Sequence, residues 1–169
     1  IRVLKLRGIH TAVETCGQAS WEDLLRTVGG AGLVLYDLKI ADPEKLKGST
    51  GADSSLIFEN AEKLAALKDV VFRVPVIPGY TDSVENLTAV ADFVASLDRP
   101  GGGRTGGGTP LDQREAPRVH LLPYHGFGSS KYRGIGMSYE LSELTAPADE
   151  EMESYKRIFE ERGVPAKIV

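Results

Sequence analysis

The sequence is poor in cysteine and histidine. Cys16 is the single cysteine among 169 residues, so an internal disulfide is excluded and a reducing cytoplasm is the expected compartment. The three histidines, His10, His120 and His125, are scattered and form no transition-metal spacing with that cysteine. We expect Cys16 to be a buried structural thiol, because no second cysteine or basic neighbour activates it. His10 and His120 lie inside apolar segments and are expected in the core.

Long apolar runs are also absent. No segment approaches the roughly 18 apolar residues of a membrane-spanning helix, and no secretory signal pattern is present. The net charge is −4, so no basic excess indicates a nucleic-acid partner. With 41% hydrophobic and 26% charged residues, the composition is typical of a globular protein, and we expect one domain over residues 1–169.

Strand and helix patterns alternate along the chain. The apolar runs typical of buried parallel strands occupy residues 9–15, 33–39, 70–77, 118–124 and 165–169. The helices between them begin at polar capping residues, namely Ser20, Asp42, Asp53 and Asp82. This rhythm predicts an α/β fold with a parallel sheet and outer helices. The strands are too few for a closed eight-stranded barrel, so we expect half of a barrel or a half-open one.

Two segments are expected to depart from this pattern. Pro75 has no N–H to donate to a strand ladder, so the third strand should be irregular there. The glycine-rich segment at about 99–117 lacks the flanking strand, helix and Lys-Ser/Thr of a phosphate-binding loop. We interpret it as a flexible surface insertion.

Polar side chains stand where several apolar runs end. Asp37 and Lys39 close the second strand on one face, Glu14 closes the first, Arg73 interrupts the third, and His125 follows the fourth. The carboxyl ends of parallel strands meet at one edge of the sheet, which is where α/β folds bind ligands. These acids, cations and imidazole can hold a zwitterion or the edge of a sugar. They can equally form an acid–base set in which Asp37 tunes His125.

Structural roles for the same residues remain open. Asp37 and Lys39 can form a strand-end salt bridge without a further task. Arg73 can pair internally with Asp37 or Glu14, and His125 can be a loop histidine with one backbone hydrogen bond.

Five motifs follow one another in a fixed order. They occupy residues 10–17, 36–39, 50–51, 73–82 and 121–128, the last followed by Lys131 and Tyr132. Together they resemble the activating enzymes of glycyl radical enzymes, which are radical S-adenosylmethionine proteins such as the pyruvate formate-lyase activase. The likeness runs from Gly8 to the C-terminus and breaks only at the glycine-rich segment. It implies the C-terminal half of a partial (β/α)6 barrel, a radical S-adenosylmethionine fold.

The resemblance also implies cofactors, partners and residue roles. Asp37 and His125 would contact the ribose and adenosine side of S-adenosylmethionine, Lys39 its methionine carboxylate, and Arg73 would be the active-site arginine. An electron from a [4Fe-4S] cluster would cleave the sulfonium bond. The 5′-deoxyadenosyl radical would then take hydrogen from a backbone glycine of a partner enzyme. Flavodoxin or ferredoxin would supply the electron.

A monovalent-cation site is implied beside the methionine group. Its ligands would be Glu14, where the family has aspartate, Thr15, the carbonyl of Leu35, and Asp37. The cluster needs three thiolates, which Cys16 alone cannot provide. We therefore expect the cluster ligands, and the glycine-rich segment that grips the methionine amine, before the first residue. On this interpretation the chain is a fragment that performs no radical chemistry alone.

Two other classes of function are open at this stage. The first is a lyase or aldolase on a parallel barrel, with Lys39 as the amine that forms a Schiff base. The second is a non-catalytic module that docks a protein partner through the loop at residues 126–137.

Overall fold

The computed structural model describes residues 1–97, 118–139 and 141–169 of the chain. The strands are β1 (Ala12–Thr15), β2 (Leu33–Asp37), β3 (Val70–Val76), β4 (Arg118–Pro123) and β5 (Ala166–Ile168). They form one sheet in chain order, and every neighbouring pair is parallel. The predicted α/β fold with a parallel sheet is confirmed. The predicted insertion at 99–117 lies outside the described residues.

The helices of the described residues differ in how they meet the sheet, since the first and the sixth bury no residue. They are α1 (Arg2–Leu6), α2 (Trp21–Val28), α3 (Pro43–Thr50), α4 (Ser54–Leu67), α5 (Val84–Ser96), α6 (Ser129–Gly134) and α7 (Asp149–Glu160). Apolar residues of α2, α4, α5 and α7 share one core cluster with alternate residues of the central strands. In the part of the chain that is described, no helix combines the length and the apolar character needed to cross a membrane.

Three of the four predicted helix caps are confirmed. The side chains that accept a backbone N–H of the first turn are those of Ser20, Asp42 and Asp53. The fourth prediction was wrong. Helix α5 is capped by Ser83, whereas the carboxylate of Asp82 accepts the N–H of Gly79 in the preceding turn. The serine hydroxyl is one residue closer to the helix and therefore reaches its first turn.

Burial alternates along the strands, so the two faces of the sheet differ. Under the helices Tyr36 and Phe72 are fully buried, with ring centroids 5.9 Å apart in an edge-on arrangement. We call the opposite face the inner face. One register row across it contains four polar residues, namely Asp37, Arg73, His120 and Lys167. The face opposite the core cluster therefore carries a row of polar groups across the sheet.

Pro75 interrupts the pairing of β3 with β2 but not its pairing with β4. Strand β3 continues through it toward β4, where Pro75 pairs with Leu122, so the predicted irregularity is wrong on that side. On the other side Leu38 donates its N–H to the carbonyl of Arg73. In a parallel ladder the next bond would run from residue 75 to the carbonyl of Leu38, and proline has no N–H. The ladder between β2 and β3 therefore ends, and the chain after Leu38 leaves the sheet.

Candidate functional site

The carboxyl ends of β2 and β4 bring Lys39 and His125 to one edge of the sheet. Lys39 follows β2 and is half-buried, while His125 follows β4 and is exposed. Only β3 separates these parallel strands, so their backbones are two strand spacings apart, about 10 Å. Lys39 and His125, which are far apart in the sequence, therefore lie at the same carboxyl edge of the sheet.

Arg73 joins two acids on the inner face just below that edge. Its Nε and Nη2 each lie 2.9 Å from Oδ1 of Asp37, and its Nη1 contacts the carboxylate of Glu14. Burial acts to lower the pKa of Arg73, but hydrogen bonds to Asp37 and Glu14, with their charges, outweigh it and raise that pKa. The internal ion pair left open by the sequence is present, and it uses both acids.

This ion pair bears on the implied monovalent-cation site. The carboxylates of Glu14 and Asp37 both contact the guanidinium, so a cation between them would meet a positive charge. The Leu35 backbone lies opposite Glu14 in the register. Thr15 points to the other face, and its hydroxyl accepts a backbone N–H two residues on. Across residues 1–97, 118–139 and 141–169, no group of three or more His, Cys, Asp or Glu side chains is arranged to hold a metal.

Two cavities flank Lys39. The larger, about 420 Å³, is bordered by Tyr80, Tyr132 and the hydroxyl residues Ser49 and Thr50. The smaller, about 210 Å³, is bordered by Cys16, Asp37, Lys39 and Phe58, among others. Lys39 lines both cavities, the larger of which is rich in aromatic and hydroxyl residues, and Asp37 lines the smaller one. Together these spaces have the size of a small-molecule site.

The loop after β4 is tied down beside His125. The hydroxyl of Tyr124 donates to the carbonyl of Leu141 at 2.6 Å and lies 3.3 Å from the hydroxyl of Tyr139. The hydrogen bond with Tyr139, followed by burial, raises the pKa of Tyr124 to about 12. The His125 ring packs against Phe127 with centroids 4.4 Å apart. The segment that carries His125 is therefore anchored through Tyr124, the residue just before that histidine.

Two sequence predictions about buried residues were wrong. His10 is exposed, because β1 begins only at Ala12 and the preceding residues lie outside the core. Cys16 is also exposed, since it follows the last residue of β1 and lines the smaller cavity. An apolar neighbourhood indicated burial for His10, and the lack of an activating neighbour indicated a structural thiol for Cys16, but each residue lies just beyond a short edge strand.

His120 was predicted to belong to the core. In the structure it is half-buried and lies on the inner face. It sits between Arg73 and Lys167 in the register. Burial, followed by the positive charges of Arg118, Lys167 and Arg73, lowers the pKa of His120. The alternation of side chains along β4 could have indicated this position. His120 is two residues from Arg118 and shares a face of the strand with it, and a polar residue at 118 marks that face as the one outside the core.

Asn86 is a second residue that sequence reasoning missed. Its Nδ2 donates to the carbonyls of Lys39 and Thr81, both at 2.9 Å, and its Oδ1 accepts the N–H of Ala41 at 2.8 Å. An asparagine in the first turn of an amphipathic helix gives no indication of such contacts. Only the folded chain brings this carboxamide to the residues after β2.

The fold and this edge define an α/β half-barrel protein whose candidate site lies at the carboxyl ends of its strands. No protein-family model matches the sequence. The chain is 34% identical over 171 residues to the trans-4-hydroxy-L-proline dehydratase activating enzyme of Clostridioides difficile, covering 99% of the chain and 51% of that protein. It is 36% identical over 148 residues to the isethionate sulfite-lyase activating enzyme of Oleidesulfovibrio alaskensis, covering 85% and 42%.

A solved structure agrees with these relatives. A domain of a pyruvate-formate lyase-activating enzyme from Bacteroides vulgatus superposes with a TM-score of 0.71 at 25% identity, covering 98% of this chain and 84% of that one. The chain is related over almost its whole length to activating enzymes of glycyl radical enzymes. It spans about half the length of the curated relatives it matches.

Proposed function

We propose that this chain provides the S-adenosylmethionine-binding edge of a glycyl-radical-enzyme activating enzyme. The observation that carries the proposal is that Asp37, Lys39 and His125 reach one edge of a parallel sheet, in a chain related to activating enzymes over 99% of its length. The Lys39 ammonium suits the methionine carboxylate of the cofactor. Asp37 and His125 supply hydrogen-bonding groups for the ribose hydroxyls and the adenosine side.

The residues fit this cofactor but do not fit a cluster. Lys39 borders two cavities of suitable size, and the polar groups around them match a zwitterionic nucleoside. A [4Fe-4S] cluster that leaves one iron open needs three thiolates, whereas this chain has one cysteine.

Arg73 is placed to orient the site from below. Its two nitrogens on Asp37 fix that carboxylate, and its third contact holds Glu14 on β1, two strands away. We propose that the monovalent cation, if bound by Glu14, Thr15, Leu35 and Asp37, takes the place of a guanidinium contact. In either case a positive charge, from Arg73 or from the cation, would balance the carboxylates of Glu14 and Asp37 beside the cofactor.

The finer reaction follows the family. In the proposed activity S-adenosylmethionine would be cleaved to methionine and a 5′-deoxyadenosyl radical, which would take hydrogen from a backbone glycine of the partner enzyme. The electron for this cleavage would come from a [4Fe-4S] cluster that the residues of this chain do not hold. Flavodoxin or ferredoxin is the proposed electron donor, and the cytoplasm is the proposed compartment. Nucleic acid and membrane are not proposed partners.

Cofactor binding by this chain tests the proposal. We expect isothermal titration to show that Lys39→Ala weakens S-adenosylhomocysteine binding by about tenfold, since a charge-assisted contact is lost. Lys47→Ala is the matched control, because Lys47 is an exposed lysine on the nearby helix α3. His125→Ala should also weaken binding, whereas His10→Ala, at an exposed histidine before β1, should not. Equal affinities for wild type and Lys39→Ala would refute the proposal.

A partner-docking module is the second candidate function. The loop at 126–137 exposes large apolar side chains, with Phe127 79% and Ile135 70% exposed. Such side chains on one loop are typical of protein contact surfaces. A pure docking module would capture its partner equally well with Lys39→Ala and would show no S-adenosylhomocysteine binding at all.

A further inference from the structure

The backbone around Lys39 is not paired with a neighbouring strand. The ladder between β2 and β3 stops after Leu38 because Pro75 has no N–H to donate. Residues 39–41 therefore need another set of hydrogen-bonding groups to hold them at the sheet edge. Half-buried backbone without such groups would be free to move, together with any side chain it carries.

The carboxamide of Asn86 supplies those groups. It donates to the carbonyl of Lys39 and accepts the N–H of Ala41, two residues on. A C=O and an N–H at residues i and i+2 are the pair that one residue of a neighbouring parallel strand would bond. Asn86 thus binds the backbone of residues 39–41 directly beyond the point where Pro75 ends the ladder.

The carboxamide is itself held in place. Its second N–H donates to the carbonyl of Thr81, a residue only 3% exposed. The Thr81 hydroxyl donates to the carbonyl of Pro75 and accepts the N–H of Ile77. A continuous hydrogen-bonded path therefore runs from the end of β3 through Thr81 and Asn86 to the backbone of Lys39.

We propose that Asn86 is a positioning residue that sets where the Lys39 ammonium stands beside the two cavities. This inference rests on the proposed function, in which Lys39 holds the methionine carboxylate. Asn86 does not line either cavity and would act only through Lys39. Removing its carboxamide should release the backbone of residues 39–41 and weaken cofactor binding.

Asn86→Asp is the sharpest variant. Aspartate has the same shape and keeps an acceptor for the N–H of Ala41, but it replaces both N–H donors with an anionic oxygen. That oxygen would face the carbonyls of Lys39 and Thr81, so repulsion replaces two hydrogen bonds. Asn86→Ala removes the same bonds without repulsion and is the milder second variant, should the aspartate interfere with folding.

A double-mutant cycle separates positioning from general destabilisation. S-adenosylhomocysteine affinity is measured by titration for wild type, Asn86→Asp, Lys39→Ala and the double variant, all in the 169-residue chain. We expect Asn86→Asp to weaken binding by about tenfold, and to cause no further loss once Lys39 is alanine. The same loss in both backgrounds would show that Asn86 does not act through Lys39 and would overturn the inference.

Asp92→Asn is the matched control on the same helix. Asp92 pairs with Arg162 of the turn after α7, away from Lys39, so its loss perturbs α5 without touching the proposed path. It should leave affinity unchanged, and an affinity loss equal to that of Asn86→Asp would overturn the inference. Failure of Lys39→Ala itself to weaken binding would instead refute the proposed function. An unchanged affinity of both Asn86 variants beside a weakened Lys39→Ala would refute the inference alone.

Discussion

Arg73 and Asp37 face each other directly across β2 and β3, and two nitrogens of the guanidinium lie 2.9 Å from one carboxylate oxygen. The side chains are 18% and 22% exposed, so this is a half-desolvated pair and not a surface one. Interactions between charges are screened less in such a position than in open solvent. The pair therefore fixes the geometry of the inner face next to the candidate site.

Replacing Arg73 with methionine should destabilise the fold. The substitution keeps an apolar stem but leaves the carboxylates of Asp37 and Glu14 side by side without a cation. We expect the free energy of unfolding to fall by about 2 kcal/mol, measured by urea denaturation.

The control for this prediction is Arg26→Met. Arg26 pairs with Glu22 and Asp23 on α2, but its side chain is 71% exposed. We expect a loss below about 0.5 kcal/mol there, because solvent screens exposed pairs. Equal losses at Arg26 and Arg73 would show that the inner-face pair contributes no more than a surface one.

Gly17 should not tolerate alanine. Its φ is +72°, and an added Cβ would overlap the phenol oxygen of Tyr36, which donates to the carbonyl of Ile57 at 2.6 Å. The phenol cannot withdraw without losing that bond. We expect Gly17→Ala to lower the free energy of unfolding by about 3 kcal/mol or more.

Gly51→Ala isolates the backbone contribution to that loss. Gly51 has the same φ of +72°, but nothing lies within 4 Å of its added Cβ. Alanine there should cost only about 1 kcal/mol of left-handed strain, as measured in the same denaturation series. A Gly17 variant no less stable than the Gly51 variant would contradict the proposed clash.

His120 should make the fold less stable in mild acid. Its pKa lies below the ordinary value of 6.5, so the folded state resists protonation. As the pH falls through 6.5, the unfolded chain takes up a proton first, and the free energy of unfolding falls with a limiting slope of about 1.4 kcal/mol per pH unit. Stability is retained above this window and lost within it.

His120→Gln should therefore reduce the loss of stability between about pH 7 and about pH 5. Urea denaturation at the two pH values measures it. His10→Gln is the control, because it removes an exposed imidazole far from the inner face. An unchanged pH slope in the His120 variant would show that other groups account for the acid sensitivity.

The parallel sheet and the polar residues at the carboxyl ends of its strands could be predicted from the sequence. Strands buried under helices need apolar residues, and the residues that end them, Asp37, Lys39 and His125, are polar. Parallel order then brings such ends together without any knowledge of side-chain contacts. The fold class and the shared edge of the site depend on these local patterns alone.

Contacts between distant segments could not be predicted in the same way. The sequence offered Arg73 a pairing with Asp37 or Glu14, but its contact with both acids depends on the register of three strands, and a slip of one residue would abolish it. Asn86 reaches Lys39 across 47 positions of sequence, and no local pattern marks that contact. His10 was misplaced for a related reason, because the point where an edge strand begins depends on its neighbour.

Tyr124→Phe should loosen the loop that carries His125 without unfolding the sheet. The ring is 8% exposed and would stay packed, but the donor to the Leu141 carbonyl would be lost. Because the bond joins β4 to a segment beyond the loop, its loss should act locally, and hydrogen exchange at residues 126–139 should quicken several-fold. Tyr80→Phe, at a tyrosine that is 52% exposed, controls for loss of a hydroxyl. Exchange that rises equally across all five strands would show that Tyr124 supports the whole fold and not the loop beside His125.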